Sequence, residues 1–183
     1  MELRKVQHMH MLRDWQIKRV AIEEETKEQS ASGIWRYYRT KMITASHFEY
    51  ICKMRNSTSC ASRVKLIIYP QELNVKSVKH GSDNENIARK CIENALNVKI
   101  ERCGLFIDSE IPFLGASPDG LIGDDGIVEI KCPFAARFLT PEDAIASNIS
   151  NLRYLYKNEK DEEMRRSHVY YYQIQGQLRI TQR

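Results

Sequence analysis

The chain has 183 residues, of which 42% are hydrophobic and 28% are charged, as is typical of one globular domain with a buried core. No apolar run approaches the roughly 20 residues that a spanning helix needs, and residues 1–15 lack the apolar stretch of a signal peptide. We therefore expect an intracellular protein, nuclear or cytoplasmic, that is neither secreted nor membrane-bound. Five cysteines without a C-x-x-C pair favour reduced thiols in that setting.

The net charge is only +4, but it is unevenly distributed. Residues 36–65 contain seven basic side chains and one acid, whereas residues 108–129 contain six acids and no base. A basic surface beside an acidic pocket suits a polyanionic substrate held over a metal site. Two separate solvated patches would give the same counts, so charge alone leaves both interpretations open.

Residues 1–33 mix apolar and charged side chains and end in a QSASG break, which predicts an N-terminal helical extension before a main domain over residues 34–183. Ser46, with Glu49 three residues later, has the spacing of a capping box and predicts a helix N-terminus. Free backbone N–H groups at such an N-terminus bind phosphate, and the planar Arg39 guanidinium upstream suits the same group. A plain N-cap and a phosphate site are compatible interpretations of Ser46.

The clearest helix is predicted over residues 80–97. Ser82 and Glu85 again have capping-box spacing. Apolar residues repeat at helical spacing behind them and predict a buried face made of Ile87, Ala88, Cys91, Ile92, Ala95 and Leu96. Glu85 lies at the edge of that face, where an acid is unfavourable unless it meets a partner or a metal. A capping role is the alternative for Glu85.

Residues 115–134, GASPDGLIGDDGIVEIKCPF, follow two predicted strands within residues 101–115. Two short β-runs around a Gly-Asp-Asp-Gly turn predict a hairpin, with its second strand over residues 127–131. Because alternate side chains of a strand share a face, Glu129 and Lys131 are expected to point the same way.

A turn centred between Gly123 and Gly126 would place Asp119 opposite Ile130, between Glu129 and Lys131. One hairpin would then bring two carboxylates and an amine to one point. Two acids can hold a divalent metal through oxygen, and a nearby lysine can orient a water or neutralise developing charge. This is the D…ExK arrangement of metal-dependent nucleases, although an acid followed by ExK is also common on solvated strands.

The last helix is predicted over residues 168–180, with Tyr170, Gln173 and Gln177 on one side. This side is either the polar back of an amphipathic core helix or a surface that sets Gln173 and Tyr170 against the hairpin or a DNA strand. Two further elements are predicted between hairpin and helix, a short helix over 138–147 opened by Pro141 and a charge-dense solvated segment over 158–166.

Several of these stretches coincide, in order, with the motifs of one family. The chain resembles the lambda-type exonucleases, also called YqaJ-like viral recombinases, a branch of the PD-(D/E)xK nuclease superfamily. The matching motifs are Trp35 with Arg39, ITAS at 43–46, HGSDNE ending at Glu85, ASPDG with Asp119, EIKCPF at 129–134 and YYYQIQGQ around Gln173. The resemblance covers residues 22–182.

The resemblance implies an α/β (α+β) fold with a restriction-endonuclease-like core, in which a central mixed β-sheet is flanked by helices and the hairpin acids lie at its edge. Asp119, Glu129 and the Ile130 backbone carbonyl would hold Mg²⁺ or Mn²⁺. Glu85 would complete the acidic site and help to hold a second ion. Lys131 would position or deprotonate the attacking water.

For the remaining motifs, the resemblance implies that Gln173 supports the catalytic site and that Arg39 and Ser46 receive a 5′-phosphate. The implied reaction is hydrolysis of phosphodiester bonds in linear duplex DNA, from a phosphorylated 5′ end in the 5′ to 3′ direction, in recombination or repair. Contacts to the backbone without base readout would make digestion independent of sequence. Implied partners are double-stranded DNA ends, a single-strand annealing recombinase and further copies of the chain.

Two alternatives remain open from the sequence. One is a catalytically idle DNA-binding or recombination-accessory domain, and the other is an endonuclease directed to DNA structure, since D…ExK does not choose between ends and interiors. The family usually continues beyond the glutamine helix, so we expect the nuclease domain over residues 34–183 to be truncated at its C-terminus.

Overall fold

The computed structural model describes residues 2–71, 75–147, 149, 152, 155–157 and 162–183. Its helices are α1 (Glu2–Ile17), α2 (Arg19–Glu25), α3 (Gly33–Arg39), α4 (Phe48–Cys52), α5 (Ala61–Ile68), α6 (Lys76–Leu96), α7 (Pro141–Ala146) and α8 (Val169–Thr181). Its strands are β1 (Ile43–Thr44), β2 (Phe106–Ile107), β3 (Leu114–Ala116), β4 (Gly120–Ile122), β5 (Gly126–Val128), β6 (Leu155–Lys157) and β7 (Glu162–Met164). Short 3-10 turns cover Gln29–Ala31, Ala45–His47 and Phe134–Ala136.

The sheets are small and of mixed direction. A three-stranded sheet has the order β1-β3-β2, in which β1 runs parallel and β2 antiparallel to β3. The strands β4 and β5 form an antiparallel hairpin, and β6 pairs with β7. Helices surround these strands, so the predicted fold class is confirmed. Within the described part of the chain, no helix is both long enough and apolar enough to cross a membrane.

Two groups of buried side chains hold the elements together. Leu12 and Ile22, from the two N-terminal helices, are buried against Met42, Leu105 and Ile107. Full burial of one such side chain contributes about 1.5–3 kcal/mol. The N-terminal helices are therefore held to the sheet by apolar packing.

The second buried group fixes the last helix. Ile180 of α8 packs with Ala45 of a 3-10 turn and Ala116 of β3, and the rings of Phe48 and Phe106 lie against them. This packing seats α8 on the sheet beside the hairpin β4–β5.

Two predicted helix starts are wrong. The helix α4 begins at Phe48 with His47 as its N-cap, and Ser46 lies in the preceding 3-10 turn. The Ser46 hydroxyl is hydrogen-bonded to Thr44 Oγ1 at 3.0 Å instead of capping a helix. The helix α6 begins at Lys76, so Ser82 lies in its interior and caps nothing. In both places the spacing alone suggested a cap that the surrounding chain does not form.

The predicted buried face of α6 is also wrong for most of its members. Ile87 and Leu96 are 60% and 63% exposed, and Cys91 and Ala95 are exposed as well. The side turned to the protein carries polar groups, because Arg89 and Glu93 hydrogen-bond to the main chain of the segments beneath the helix. Only Ala88 and Ile92 of the predicted face are half-buried.

The predictions for the later elements are closer to the structure. The helix α7 begins at Pro141, and Thr140 caps it by accepting a hydrogen bond from the backbone N–H of Asp143. The helix α8 begins after His168, which caps it. In the charge-dense segment 158–166, residues 158–161 lie outside the described residues.

Candidate active site

The hairpin forms, but its register differs by one residue from the prediction. Gly120 pairs with Val128 and Ile122 with Gly126, so three residues connect the strands instead of four. Gly123 adopts a left-handed conformation with φ of +55°, which glycine allows without strain, whereas Gly126 belongs to the strand. Continuing the ladder brings position 119 opposite position 129 and not opposite position 130. The strand β5 also ends at Val128, before the predicted end at position 131.

The corrected register still brings the predicted acids together. The Asp119 backbone N–H donates to the Val128 carbonyl at 2.9 Å, and the Ile130 backbone N–H donates to Asp119 Oδ2 at 2.6 Å. Burial, and next to it the neighbouring Glu129 carboxylate, raise the pKa of Asp119 to about 7, although the Ile130 N–H and Lys131 lower it. Two buried carboxylates that repel each other are the environment that a bound cation relieves.

Both oxygens of Glu129 are held by hydrogen bonds. Gln173 Nε2 donates to Glu129 Oε1 at 2.5 Å, and Gln177 Nε2 donates to Glu129 Oε2 at 2.6 Å. Lys131 Nζ also donates to Oε1. The Glu129 side chain is 8% exposed, so these donors replace most of its solvent. The sequence placed Gln177 on the same side as Gln173 but did not identify it as a site residue.

Lys131 carries the positive charge of the site. Burial lowers the pKa of its ammonium, but the Glu129 carboxylate, Asp119 and Tyr170 together raise the pKa overall. Its Nζ also lies 5.1 Å from the centre of the Tyr170 ring, where a cation is attracted to the ring face. A protonated Lys131 is a hydrogen-bond donor, which suits positioning of a water or a phosphate oxygen better than removal of a proton.

Glu85 stands apart from the two hairpin acids. Its Oε1 lies 3.6 Å from Arg89 Nη2, and it raises the pKa of Asp119 only as a minor contributor. Arg89, which the sequence did not identify, donates from Nη2 to the Asp119 carbonyl at 2.6 Å. Among the described residues, no three His, Cys, Asp or Glu side chains are grouped as metal ligands. Asp119 and Glu129 therefore meet without a third such side chain among the described residues, and Glu85 lies at their margin.

A second pocket contains both predicted phosphate-binding residues. Arg39 and Ser46 line a cavity of about 320 Å³ together with Trp35, Thr44 and His47. The Arg39 guanidinium stacks on the Trp35 ring at 4.2 Å from its centre, and no hydrogen-bond acceptor for it is found in the described part of the chain. Burial lowers the pKa of Arg39 to about 10, against the opposite effect of the Glu129 carboxylate.

This pocket is linked to the hairpin by a hydrogen bond. The Trp35 indole N–H donates to Ser117 Oγ at 2.9 Å, two residues before Asp119. Burial lowers the pKa of His47, and the charges of Arg39 and Arg63 lower it further. At neutral pH the pocket therefore contains a cationic Arg39 and a neutral imidazole.

An open cleft lies beside the residues that follow the hairpin. It has a volume of about 750 Å³ and is lined by Glu85, Lys131, Phe134 and Tyr170, among others. Lys131 therefore lines this open cleft.

The family model of the YqaJ-like viral recombinase domain matches residues 34–183. The chain belongs to this family. Every predicted site residue lies inside the matched range of the YqaJ-like domain, from Arg39 to Gln173. Gln177 and Arg89 lie inside it as well.

Solved structures show the same fold. An alkaline exonuclease from Laribacter hongkongensis, LHK-Exo, matches with a TM-score of 0.59 and 26% identity over 83% of this chain and 70% of that one. The same exonuclease in complex with dAMP matches with a TM-score of 0.56 and 24% identity over 81% and 68% of the two chains. No protein of curated function matches this YqaJ-like chain.

Proposed function

We propose that this chain is a metal-dependent DNA exonuclease that hydrolyses linear duplex DNA from a phosphorylated 5′ end, in the 5′ to 3′ direction, in recombination or repair. The observation that carries the proposal is the hairpin with Asp119, Glu129 and Lys131 beside the pocket of Arg39 and Ser46. The fold shared with an alkaline exonuclease supports a nuclease. The basic composition of residues 36–65 suits the DNA backbone.

The residues fit a divalent ion, Mg²⁺ or Mn²⁺. Asp119, Glu129 and the Ile130 carbonyl would hold it, and Glu85 would contribute to a second ion through its waters. A bound ion of this kind lowers the pKa of its water and neutralises charge on the phosphate. The Lys131 ammonium would orient the attacking water or a phosphate oxygen, and Gln173 would keep the Glu129 carboxylate in place.

We propose that the pocket of Arg39 and Ser46 makes digestion depend on a DNA end. The Arg39 guanidinium presents a planar donor fork that the described residues leave unpaired, and the Ser46 hydroxyl lines the same cavity. A terminal phosphate has more charge and more free oxygens than an internal one, so this pocket would favour a phosphorylated 5′ end. A single-strand annealing recombinase and further copies of the chain are the partners that we propose for this activity.

Digestion of matched DNA substrates tests the proposal. Linear duplex with a 5′-phosphate and closed circular duplex are incubated with Mg²⁺ or with EDTA, using the natural chain and Lys131→Ala. We expect loss of the linear form only, in the presence of Mg²⁺ only, and none with Lys131→Ala. Cutting of circles would indicate an endonuclease instead. Folded protein that binds DNA without cutting it would indicate an accessory domain.

A further inference from the structure

Gln177 is the most deeply buried polar side chain that touches the hairpin acids. It is 1% exposed, and its Nε2 donates to Glu129 Oε2 at 2.6 Å. Gln173 lies one helical turn earlier on α8 and donates to the other oxygen, Oε1, at 2.5 Å. Each oxygen of Glu129 therefore accepts one amide N–H from the same helix face.

Packing alone does not account for a glutamine at this position. The Gln177 Oε1 is buried and has no hydrogen-bond partner among the residues that the structure describes. An unpaired buried carbonyl is unfavourable, and an apolar side chain of similar size would avoid it. The Gln177 side chain contributes through its amide N–H, which donates to Glu129.

The residue before Gln177 sets the distance between α8 and the site. A Cβ at Gly176 would lie 2.5 Å from Phe48 Cδ2 and 3.1 Å from Ala45 Cβ. Only glycine lets the helix approach the 3-10 turn and α4 this closely. Since Ile180 anchors the next turn in the core, α8 holds Gln177 at a fixed depth beneath the hairpin.

We infer that Gln177 is a positioning residue that acts with Gln173 as an amide clamp on Glu129. The terminal torsion of a glutamate is soft, so a carboxylate bound at one oxygen can still turn, whereas one bound at both oxygens has its plane fixed. A carboxylate has about four acceptor positions, so the two amide bonds and the Lys131 bond leave about one for a cation. The inference rests on the proposed function, because it concerns how the chain prepares Glu129 for the metal.

The test compares Gln177→Leu with Gln175→Leu. Gln175 lies on the same helix but is exposed, so its replacement is a matched control. The affinity for Mn²⁺ is measured by titration calorimetry without DNA, and the unfolding midpoint is measured in EDTA. Partners that orient a metal ligand typically change affinity by about 10- to 100-fold. We expect the Mn²⁺ Kd of Gln177→Leu to rise by about that factor. Its metal-free unfolding midpoint should fall, because the buried Glu129 Oε2 loses its amide donor, but the chain should remain folded. Gln175→Leu should change neither quantity.

Activity gives a second readout. Since the clamp acts through metal binding, Gln177→Leu should regain activity as Mn²⁺ is raised to saturation. If leucine prevents folding, Gln177→Met is the more flexible apolar replacement, and the same expectations apply to it. The double variant with Gln173→Leu should lose less Mn²⁺ affinity than the product of the single losses, because both amides hold one carboxylate.

The outcomes separate the inference from the proposed function. An unchanged Mn²⁺ Kd in Gln177→Leu, beside a natural chain that binds Mn²⁺, would overturn the clamp and leave the nuclease proposal intact. Independent losses in the double variant would overturn it too. A natural chain that binds no Mn²⁺ would overturn both.

Discussion

Asp119 is expected to destabilise the metal-free protein at alkaline pH. Burial and the Glu129 charge raise the pKa of Asp119 from 3.8 to about 7, so the folded state holds a proton that the unfolded state has already lost between those values. Stability therefore falls as the pH rises through this range. Since a pKa rise of one corresponds to about 1.4 kcal/mol, a rise of about three lowers the free energy of unfolding above pH 7 by about 4 kcal/mol.

The variant Asp119→Asn removes this titration and keeps an oxygen that can accept the Ile130 N–H. In EDTA we expect it to exceed the natural chain in unfolding free energy by up to about 4 kcal/mol at pH 8.5 and by about 2 kcal/mol at pH 5. Urea unfolding at both pH values measures the two differences. Titrating groups that do not interact with Asp119 cancel, because they are common to both chains.

Mg²⁺ provides the control for this reasoning. At pH 8.5 a cation that neutralises Asp119 and Glu129 should raise the unfolding midpoint of the natural chain and leave Asp119→Asn nearly unchanged. The reasoning is refuted if the variant differs from the natural chain by the same free energy at pH 5 and at pH 8.5. That result would show that Asp119 has an ordinary pKa in the folded protein.

Three further substitutions test other contacts. Gly176→Ala should lower the unfolding free energy in urea by about 1–3 kcal/mol, because the new methyl group meets the Phe48 ring; unchanged stability would contradict the close approach. At Gln29, where φ is +42°, replacement by glycine or by alanine removes the amide bond to the Pro118 carbonyl. The glycine variant should nevertheless be about 1 kcal/mol more stable than the alanine variant, and the opposite order in urea unfolding would rule out this backbone conformation. Arg39→Ala should reduce the rate preference for phosphorylated over unphosphorylated 5′ ends by about 10- to 100-fold without changing the Mn²⁺ Kd; equal loss on both ends would count against a phosphate pocket.

The sequence was sufficient for the hairpin because its groups are neighbours in the chain. Asp119, Glu129 and Lys131 lie within one turn and two short strands, and local alternation determines which of them share a face. The register was one residue off because both Gly123 and Gly126 suit a left-handed turn, and only the folded chain shows that Gly123 takes it. The acids still meet, since the Ile130 N–H binds the Asp119 carboxylate directly.

The partners of these acids come from distant segments and could not be predicted in the same way. Gln177 is 48 residues from Glu129, and Arg89 is 30 residues from Asp119. Helical spacing placed Gln177 beside Gln173, but spacing does not show which residues a helix face contacts. On α6 the apolar pattern pointed to the wrong side, because the inward face carries Arg89, which donates to the Asp119 carbonyl, and Glu93, which accepts the Ile100 backbone N–H. Local rules fail here because these polar side chains bind segments that are distant in sequence.

The N-terminal segment also makes contacts that its sequence did not predict. Its sequence suggested no chemistry, and the family match begins only at residue 34. In the structure, however, Gln29 adopts a left-handed conformation and donates its amide to the Pro118 carbonyl, immediately before Asp119. In the same N-terminal segment, Thr26 Oγ1 accepts a hydrogen bond from the Leu105 backbone N–H. These bonds join residues 89 and 79 positions apart, so no local pattern contains them. The matched domain thus contains the acids of the proposed site. The segment before it hydrogen-bonds to Pro118, the residue that precedes Asp119.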